Sequence, residues 1–219
     1  MTNNTESTVA IIGLGNIGRV LATNLTKGNR PVILAARDVL TAQRLAMELG
    51  DLAQPMDIAS AIQKADIIVP AIWFASIREF FQQYATELAG KIIIDPSNPI
   101  APDEKGGFVK TISETESAGQ IHAASLPNGA KLAKALGTLG AASLADASGQ
   151  GPDPAVLFYA TDDTGINGVI EELIRDAGFE PLRVGGLDQS NRLEVFGDLH
   201  EFGALGKPVT LPEARKVIG

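Results

Sequence analysis

Val9-Ala10-Ile11-Ile12-Gly13-Leu14-Gly15-Asn16-Ile17-Gly18 passes directly from an apolar run into a glycine-rich turn, and Arg19 to Thr26 follow with the spacing of an amphipathic helix. Strand, tight turn and helix are the expected order. Each glycine has its own task in such a turn. Gly13 lets the chain reverse, Gly15 keeps side-chain atoms away from an approaching ligand, and Gly18 lets the helix lie close to the strand. The amides that open the helix lack partners within it, so they offer partial positive charge to an anion. A glycine turn can be purely structural. Placed between a strand and a helix, this one reads as a dinucleotide pyrophosphate site.

Outward from this turn the pattern repeats. Lys27-Gly28-Asn29 stops the helix, and Pro31 to Ala36 form a second buried strand that ends at Arg37, nineteen residues after Gly18. An acidic residue at this strand end accepts hydrogen bonds from the ribose of NAD, whereas arginine suits the 2′-phosphate of NADP. Arg37 therefore favours NADP, with Arg44 one or two turns into the next helix as a further cation; Asp38 next door keeps NAD open. Leu40–Leu49 (helix), Leu52–Met56 (strand), Ile58–Lys64 (helical turn), Asp66–Ile72 (strand), Ala75–Leu88 (helix) and Lys91–Asp95 (strand) continue the alternation. The class is α/β, a Rossmann-type doubly wound parallel sheet with ligands at the carboxyl ends of its strands. Trp73 and Phe74 follow one such end, as a packing plug or as a wall on which a nicotinamide or flavin-like ring can stack. Ser97 and Asn98 follow another, as turn residues or as hydrogen-bonding partners of the cofactor.

The second half is expected as a loop over Ala101–Lys110, a helix over Ser113–Leu126, a strand over Lys131–Leu136, a turn over Gly137–Gly140 and an irregular stretch over Leu144–Pro154. A strand over Ala155–Thr161, a helix ending at Ala177, a strand over Glu180–Val184 and a last helix over Ser190–Phe202 complete it. Residues 1–219 form one domain on this reading, with 127–219 as a small α/β extension on the substrate side. Leu193, Phe196, Leu199 and Phe202 would lie on one face of the last helix, as a core stripe or a dimer contact.

Composition narrows the function. The 219 residues include no cysteine, which removes disulfides, thiolate metal sites and a cysteine nucleophile. Two histidines, His122 and His200, are too few and too far apart for a metal centre, and are expected at the surface or as helix caps. The net charge of −8 argues against nucleic acid and anionic membranes as partners, while residues 1–50 carry a balance of +2, in keeping with phosphate binding there. Met1–Thr8 has neither the basic nor the apolar character of a leader, and a cytoplasmic protein is expected.

VAIIGLGNIG, Arg37, the strand leading to Trp73-Phe74, Asp95-Pro96-Ser97-Asn98-Pro99 and Gly185 to Glu194 (GGLDQSNRLE) together resemble the NADPH-dependent coenzyme F420 reductases and the bacterial dinucleotide-binding reductase-like proteins related to them. The resemblance implies a small, homodimeric Rossmann enzyme that binds NADP and exchanges hydride with coenzyme F420 or another flavin-like ring. It places Gly13, Gly15, Asn16 and Ile17 at the pyrophosphate, with Leu14 in the same turn, and Ala36 with Arg37 at the 2′-phosphate. Ala71, Ile72, Trp73 and Phe74 would shape the nicotinamide mouth, with Phe74 on the acceptor side beside Gly137, Thr138 and Leu139. Trp73-Phe74 stands where the family has Pro-Trp, Gly137 where it has His or Asn, and Ala36 where it often has Ser, which leaves the acceptor open. No residue reads as a catalytic acid: Tyr84 and Tyr159 fall inside elements as packing residues. Hydride transfer between two cofactor rings needs less from the protein than carbonyl reduction does. An NADP-binding redox sensor and an NADPH-dependent reductase of a small carbonyl compound stay as alternatives. An open ring-sized pocket would disfavour the sensor, and a histidine or tyrosine in that pocket would favour the carbonyl reductase.

Overall fold

β1 (Val9–Ile12) is buried at every position and has a parallel strand on each side, so an unbroken apolar tetrad is what this place in the fold requires. The structure is a computed structural model that describes residues 7–104 and 106–218. Residues 1–6 of the Met1–Thr8 stretch and Lys105 of the expected loop lie outside the described residues. The chain continues through α1 (Asn16–Lys27), β2 (Val32–Ala35), α2 (Val39–Leu49), β3 (Ala53–Met56), α3 (Ile58–Lys64) and β4 (Ile67–Pro70). Then come α4 (Phe74–Gln83), α5 (Ala85–Leu88), β5 (Ile92–Asp95), the short strands β6 (Ile100–Pro102) and β7 (Phe108–Lys110), and α6 (Ala118–Ala123). The last part holds β8 (Lys131–Lys134), α7 (Ala141–Asp146), β9 (Val156–Thr161), α8 (Asn167–Asp176), β10 (Glu180–Gly185) and α9 (Leu211–Ile218).

Among the described residues, eight strands make one sheet in the order β10-β9-β8-β5-β4-β1-β2-β3. Strands β1 to β5 and β8 run parallel, and helices cover both faces. Val9 and Ile11 pack with α1, α2, α7 and α8, while Ala10 and Ile12 pack with α3, α4 and α5. Period-2 alternation thus sends neighbouring residues into opposite cores, and each fully buried Leu or Ile contributes roughly 1.5–3 kcal/mol. A third apolar cluster joins Val156, Phe158 and Ala160 of β9 to Leu193, Leu199, Val209 and Ala214. It seats the C-terminal segment and α9 on the sheet.

Several expectations are corrected here. The doubly wound Rossmann-type sheet is as expected, with one exception to its parallel order: β9 pairs antiparallel with β8, and β10 follows β9. The connection through α7 begins and ends at the carboxyl edge, and β9 sets out in the reverse direction. The expected loop at 101–110 is a hairpin of β6 and β7. The expected helix over Ser113–Leu126 shrinks to α6, because Glu116 folds back onto Ser113 and the Ser117 hydroxyl caps the Gln120 amide. The helix over 75–88 divides at Tyr84, and the irregular stretch begins with the last residues of α7.

Ser190–Phe202 is not a helix. A 3-10 turn over Leu187–Arg192 gives way to stacked turns in which Phe196 has φ 75°, and a Cβ on Gly197 would strike the Asn191 and Arg192 carbonyl oxygens. Leu193 and Leu199 are core residues, and Phe196 and Phe202 are exposed. Among the described residues no helix is long and apolar enough to cross a membrane.

Candidate active site

The Gly13 to Gly18 turn is built as a cradle. Gly13 has φ +95°, and a Cβ there would lie 2.6 Å from both the Ala71 carbonyl oxygen and Ile72 Cγ2. A Cβ on Gly18 would collide with the Gly13 carbonyl oxygen, so the start of α1 can sit against β1 only as glycine. Gly15 differs from both: its Cβ would meet nothing within 4 Å. Gly15 is also the N-cap of α1, no side chain caps that end, and its first turn holds no acidic residue. The helix therefore turns unpaired N–H groups and an open backbone toward the space above the sheet. An anion fits there.

That space is a cleft of about 600 Å³ at the carboxyl edge, within the usual range for a small-molecule site. Gly15, Asn16 and Ile17 line one end, and Ala71, Ile72, Trp73 and Phe74 line the side above β4. Ser97, Asn98 and Leu139 line the far side. Pro96, Ile100, Phe108, Gly140, Ala141, Val195 and Phe202, which the sequence did not mark as site residues, complete the walls together with His200, a candidate there only on the carbonyl-reductase alternative. Of these, Ile100 and Phe108 come from the hairpin, and Val195 to Phe202 from the stacked turns. Trp73 is 56% exposed at the mouth and leaves the cleft open.

The far wall is held by side chains from distant parts of the chain. The Asn98 amide group donates to the Gly137 carbonyl at 3.1 Å, and its oxygen accepts from the Val195 N–H at 2.8 Å. The Gly140 N–H donates to Glu201, whose own N–H donates to the Thr138 carbonyl. The Ser97 and Thr138 hydroxyls are enclosed, and neither meets a hydrogen-bond partner among the described residues.

Residues 8–99 match the family described as NADP oxidoreductase, coenzyme F420-dependent. The crystal structure of a hypothetical protein from Sinorhizobium meliloti is 30% identical to this chain, covers 95% of it, is itself covered over 97% of its length, and gives a TM-score of 0.76. This chain belongs to the coenzyme F420-dependent NADP oxidoreductase family. It is accordingly an NADP-dependent oxidoreductase. An Arthrobacter protein proposed to be an F420-dependent NADP reductase shares the fold at 23% identity and TM-score 0.72, over 84% of this chain and 87% of that one. A reductive aminase from Aspergillus terreus, solved with NADPH and ethyl levulinate, shares it at 19% identity and TM-score 0.59, over 85% of this chain and 57% of its own. No curated protein sequence matches significantly.

Some family positions lie outside the cleft. Leu14 is in the core, and Gly13 supports the turn from beneath. Gly137 and Thr138 wall a small chamber behind Ser97 and Asn98, together with Lys134 and Phe158. Ala36, Arg37 and Arg44 lie beyond the end of β2; both arginines are exposed, and neither has a hydrogen bond or ion pair among the described residues. Asp38 is engaged: its carboxylate accepts from the Leu40 N–H and the Thr41 hydroxyl at the start of α2.

Both histidines are buried, contrary to the expectation of surface or capping positions. His122 packs beneath Phe74, and His200 lines the cleft. His200 Nδ1 accepts the Phe202 N–H at 3.0 Å, which leaves the proton on Nε2. Burial pushes the ring down to about 4, against the opposing effect of the Gly137 carbonyl. The folded protein thus binds fewer protons than the unfolded chain between pH 6.5 and 4. The resulting stability is complete above pH 6.5 and is lost as the pH falls. Urea titrations should show about 2 kcal/mol lost from this source between pH 7 and pH 5, and His200→Gln should remove that slope. An unchanged slope in the variant would remove His200 as its source.

Proposed function

We propose that the cleft holds NADP(H) along the Gly15–Ile17 end with its 2′-phosphate at Arg37 and Arg44, and that a planar flavin-like acceptor, coenzyme F420 first among them, stacks beside the nicotinamide. The observation that carries this is an open, ring-sized, mainly apolar cleft that begins at an uncapped helix N-terminus and ends between aromatic side chains. Arg37 is available for a phosphate, and the neighbouring Asp38 carboxylate, which would favour NAD, is engaged at its helix. Ala36 packs beside that strand end, and Leu14 and Gly13 keep the turn in shape. Residues 127–219 act as the substrate-side extension through Leu139, Gly140 and the turns that carry Val195, His200 and Phe202.

When bound, the reduced nicotinamide supplies a hydride, and the acceptor gains that hydride and one proton from solvent. The protein's part is to hold two rings face to face and exclude water. His200 is the sole acid–base side chain among the described lining residues, and in its neutral form it can donate an N–H bond but no proton at neutral pH. This supports cofactor-to-cofactor transfer over reduction of a small carbonyl compound, the reading that the presence of His200 otherwise favours. An open mouth beside Trp73 supports an enzyme over a redox sensor. A cytoplasmic homodimer, with Gly137 and Thr138 acting on the acceptor side from behind the wall, completes the proposal.

NADPH oxidation followed by absorbance, with coenzyme F420, FMN and FAD offered in turn, tests it. Turnover with F420 and NADPH, and at least tenfold less with NADH, is expected. Binding of NADPH with no acceptor reduced would overturn the assignment of the acceptor.

A further inference from the structure

Behind the aromatic wall of the cleft lies a buried ionic cluster. Asp95 ends β5 and Lys134 ends β8, opposite one another in the parallel register. Asp95, Lys134 and His122 of α6 are all buried. Asp95 Oδ2 accepts from Lys134 Nζ at 3.1 Å and lies 2.7 Å from His122 Nδ1; since a carboxylate only accepts, Nδ1 carries the proton. Asp95 Oδ1 accepts the Ser97 N–H at 2.7 Å, and Lys134 Nζ also donates to the Ser97 carbonyl. The Ser97 backbone is clamped from both ends. Burial alone would raise the Asp95 carboxyl, but the Lys134 charge, the His122 hydrogen bond and charge, and the Ser97 contact outweigh it and hold the group well below the usual carboxylate range.

The cluster reaches the cleft at two places. The His122 ring lies 4.8 Å from the Phe74 ring at 34°, and 6.1 Å from Phe81 at 72°. Phe74 and Ser97 both line the cleft. Apolar residues of similar volume would often stabilise a core as well as a buried ion cluster does, so stability is a weak reason to have charges here. What charges add is direction, because a hydrogen-bonded imidazole has one orientation where an apolar ring has several.

We propose that Asp95, His122 and Lys134 form a positioning unit for the acceptor: Asp95 fixes the tilt of His122 and thereby of Phe74, and with Lys134 it fixes the height of the Ser97 shelf. This rests on the reading that a planar acceptor stacks between those two walls. Misplacing reacting atoms by about 1 Å can cost a hundredfold in rate, so a small change in tilt is enough to matter.

Two variants separate the contributions. His122→Phe keeps a ring against Phe74 and loses the bond to Asp95, and His122→Asn keeps an N–H for Asp95 and loses the ring. In both, NADPH affinity, read by quenching of Trp73, the single tryptophan, should stay within about twofold of wild type. Hydride transfer to coenzyme F420 should slow about tenfold or more, and the primary isotope effect with 4-deuterated NADPH should become more temperature-dependent. In the cofactor-free protein the anisotropy of Trp73, next to Phe74, should fall in His122→Asn. Wild-type transfer rates and isotope effects in both variants, with only the melting temperature changed, would overturn the proposal. If wild type reduces no acceptor, the functional reading fails separately, and wild-type Trp73 anisotropy in His122→Asn then overturns the positioning role on its own.

Discussion

Gly15→Val is expected to lower NADPH affinity about a hundredfold or more, some 3 kcal/mol, while the melting temperature stays that of the wild type. The asymmetry comes from where the new atoms go. A Cβ on Gly15 meets nothing within 4 Å, and Gly15 has φ −75°, which any residue adopts, so the folded chain accepts the side chain without strain. The space it fills is the approach to the unpaired amides of α1, where the proposed binding mode brings a pyrophosphate against bare backbone. Gly18→Ala is the control. Its methyl would collide with the Gly13 carbonyl oxygen, so stability itself should fall by about 1–3 kcal/mol. Isothermal titration with NADPH and thermal melts of the two variants distinguish a ligand cradle from a packing turn. Wild-type affinity in Gly15→Val would place the cofactor elsewhere.

Arg37→Ala should weaken NADPH binding about ten- to a hundredfold and leave NADH within about twofold. Arg37 is exposed and unengaged among the described residues, so its removal breaks no internal contact. A charge-assisted bond to a phosphate contributes roughly 1.5–3 kcal/mol, less where water and salt screen it, and the loss should shrink at high ionic strength. Asp38 will not take over recognition of the ribose, because its two carboxylate oxygens hold the first turn of α2. Steady-state kcat/KM for both cofactors reads the outcome. Equal losses for NADPH and NADH would show that Arg37 does not contact the 2′-phosphate.

The sequence by itself determined the dinucleotide half. Gly18 is demanded by the Gly13 carbonyl five residues before it and Gly13 by its positive φ in the turn, while Gly15, which meets no atom of the chain, is legible from its place in the same short motif; β1, β2 and β4 are buried at every position, so the short-range pattern carries the information. The strand-end position of Arg37 followed from the same local count. Beyond Pro99 local pattern still marked β8, β9, α8 and β10 but misled over the last helix: Leu193, Phe196, Leu199 and Phe202 have helical spacing, yet Gly197 packs against the Asn191 and Arg192 carbonyls in stacked turns and Phe196 takes a left-handed φ. Only the tertiary structure decided the far wall of the cleft. Asn98 bonds to Val195 across 97 residues, His122 finds Asp95 across 27 and Lys134 finds it across 39, and no periodicity in a single chain encodes such pairs. A lone histidine or lysine reads as a surface residue until the fold brings a carboxylate to it, because burial of a charge is set by its partners in space and not by its neighbours in sequence.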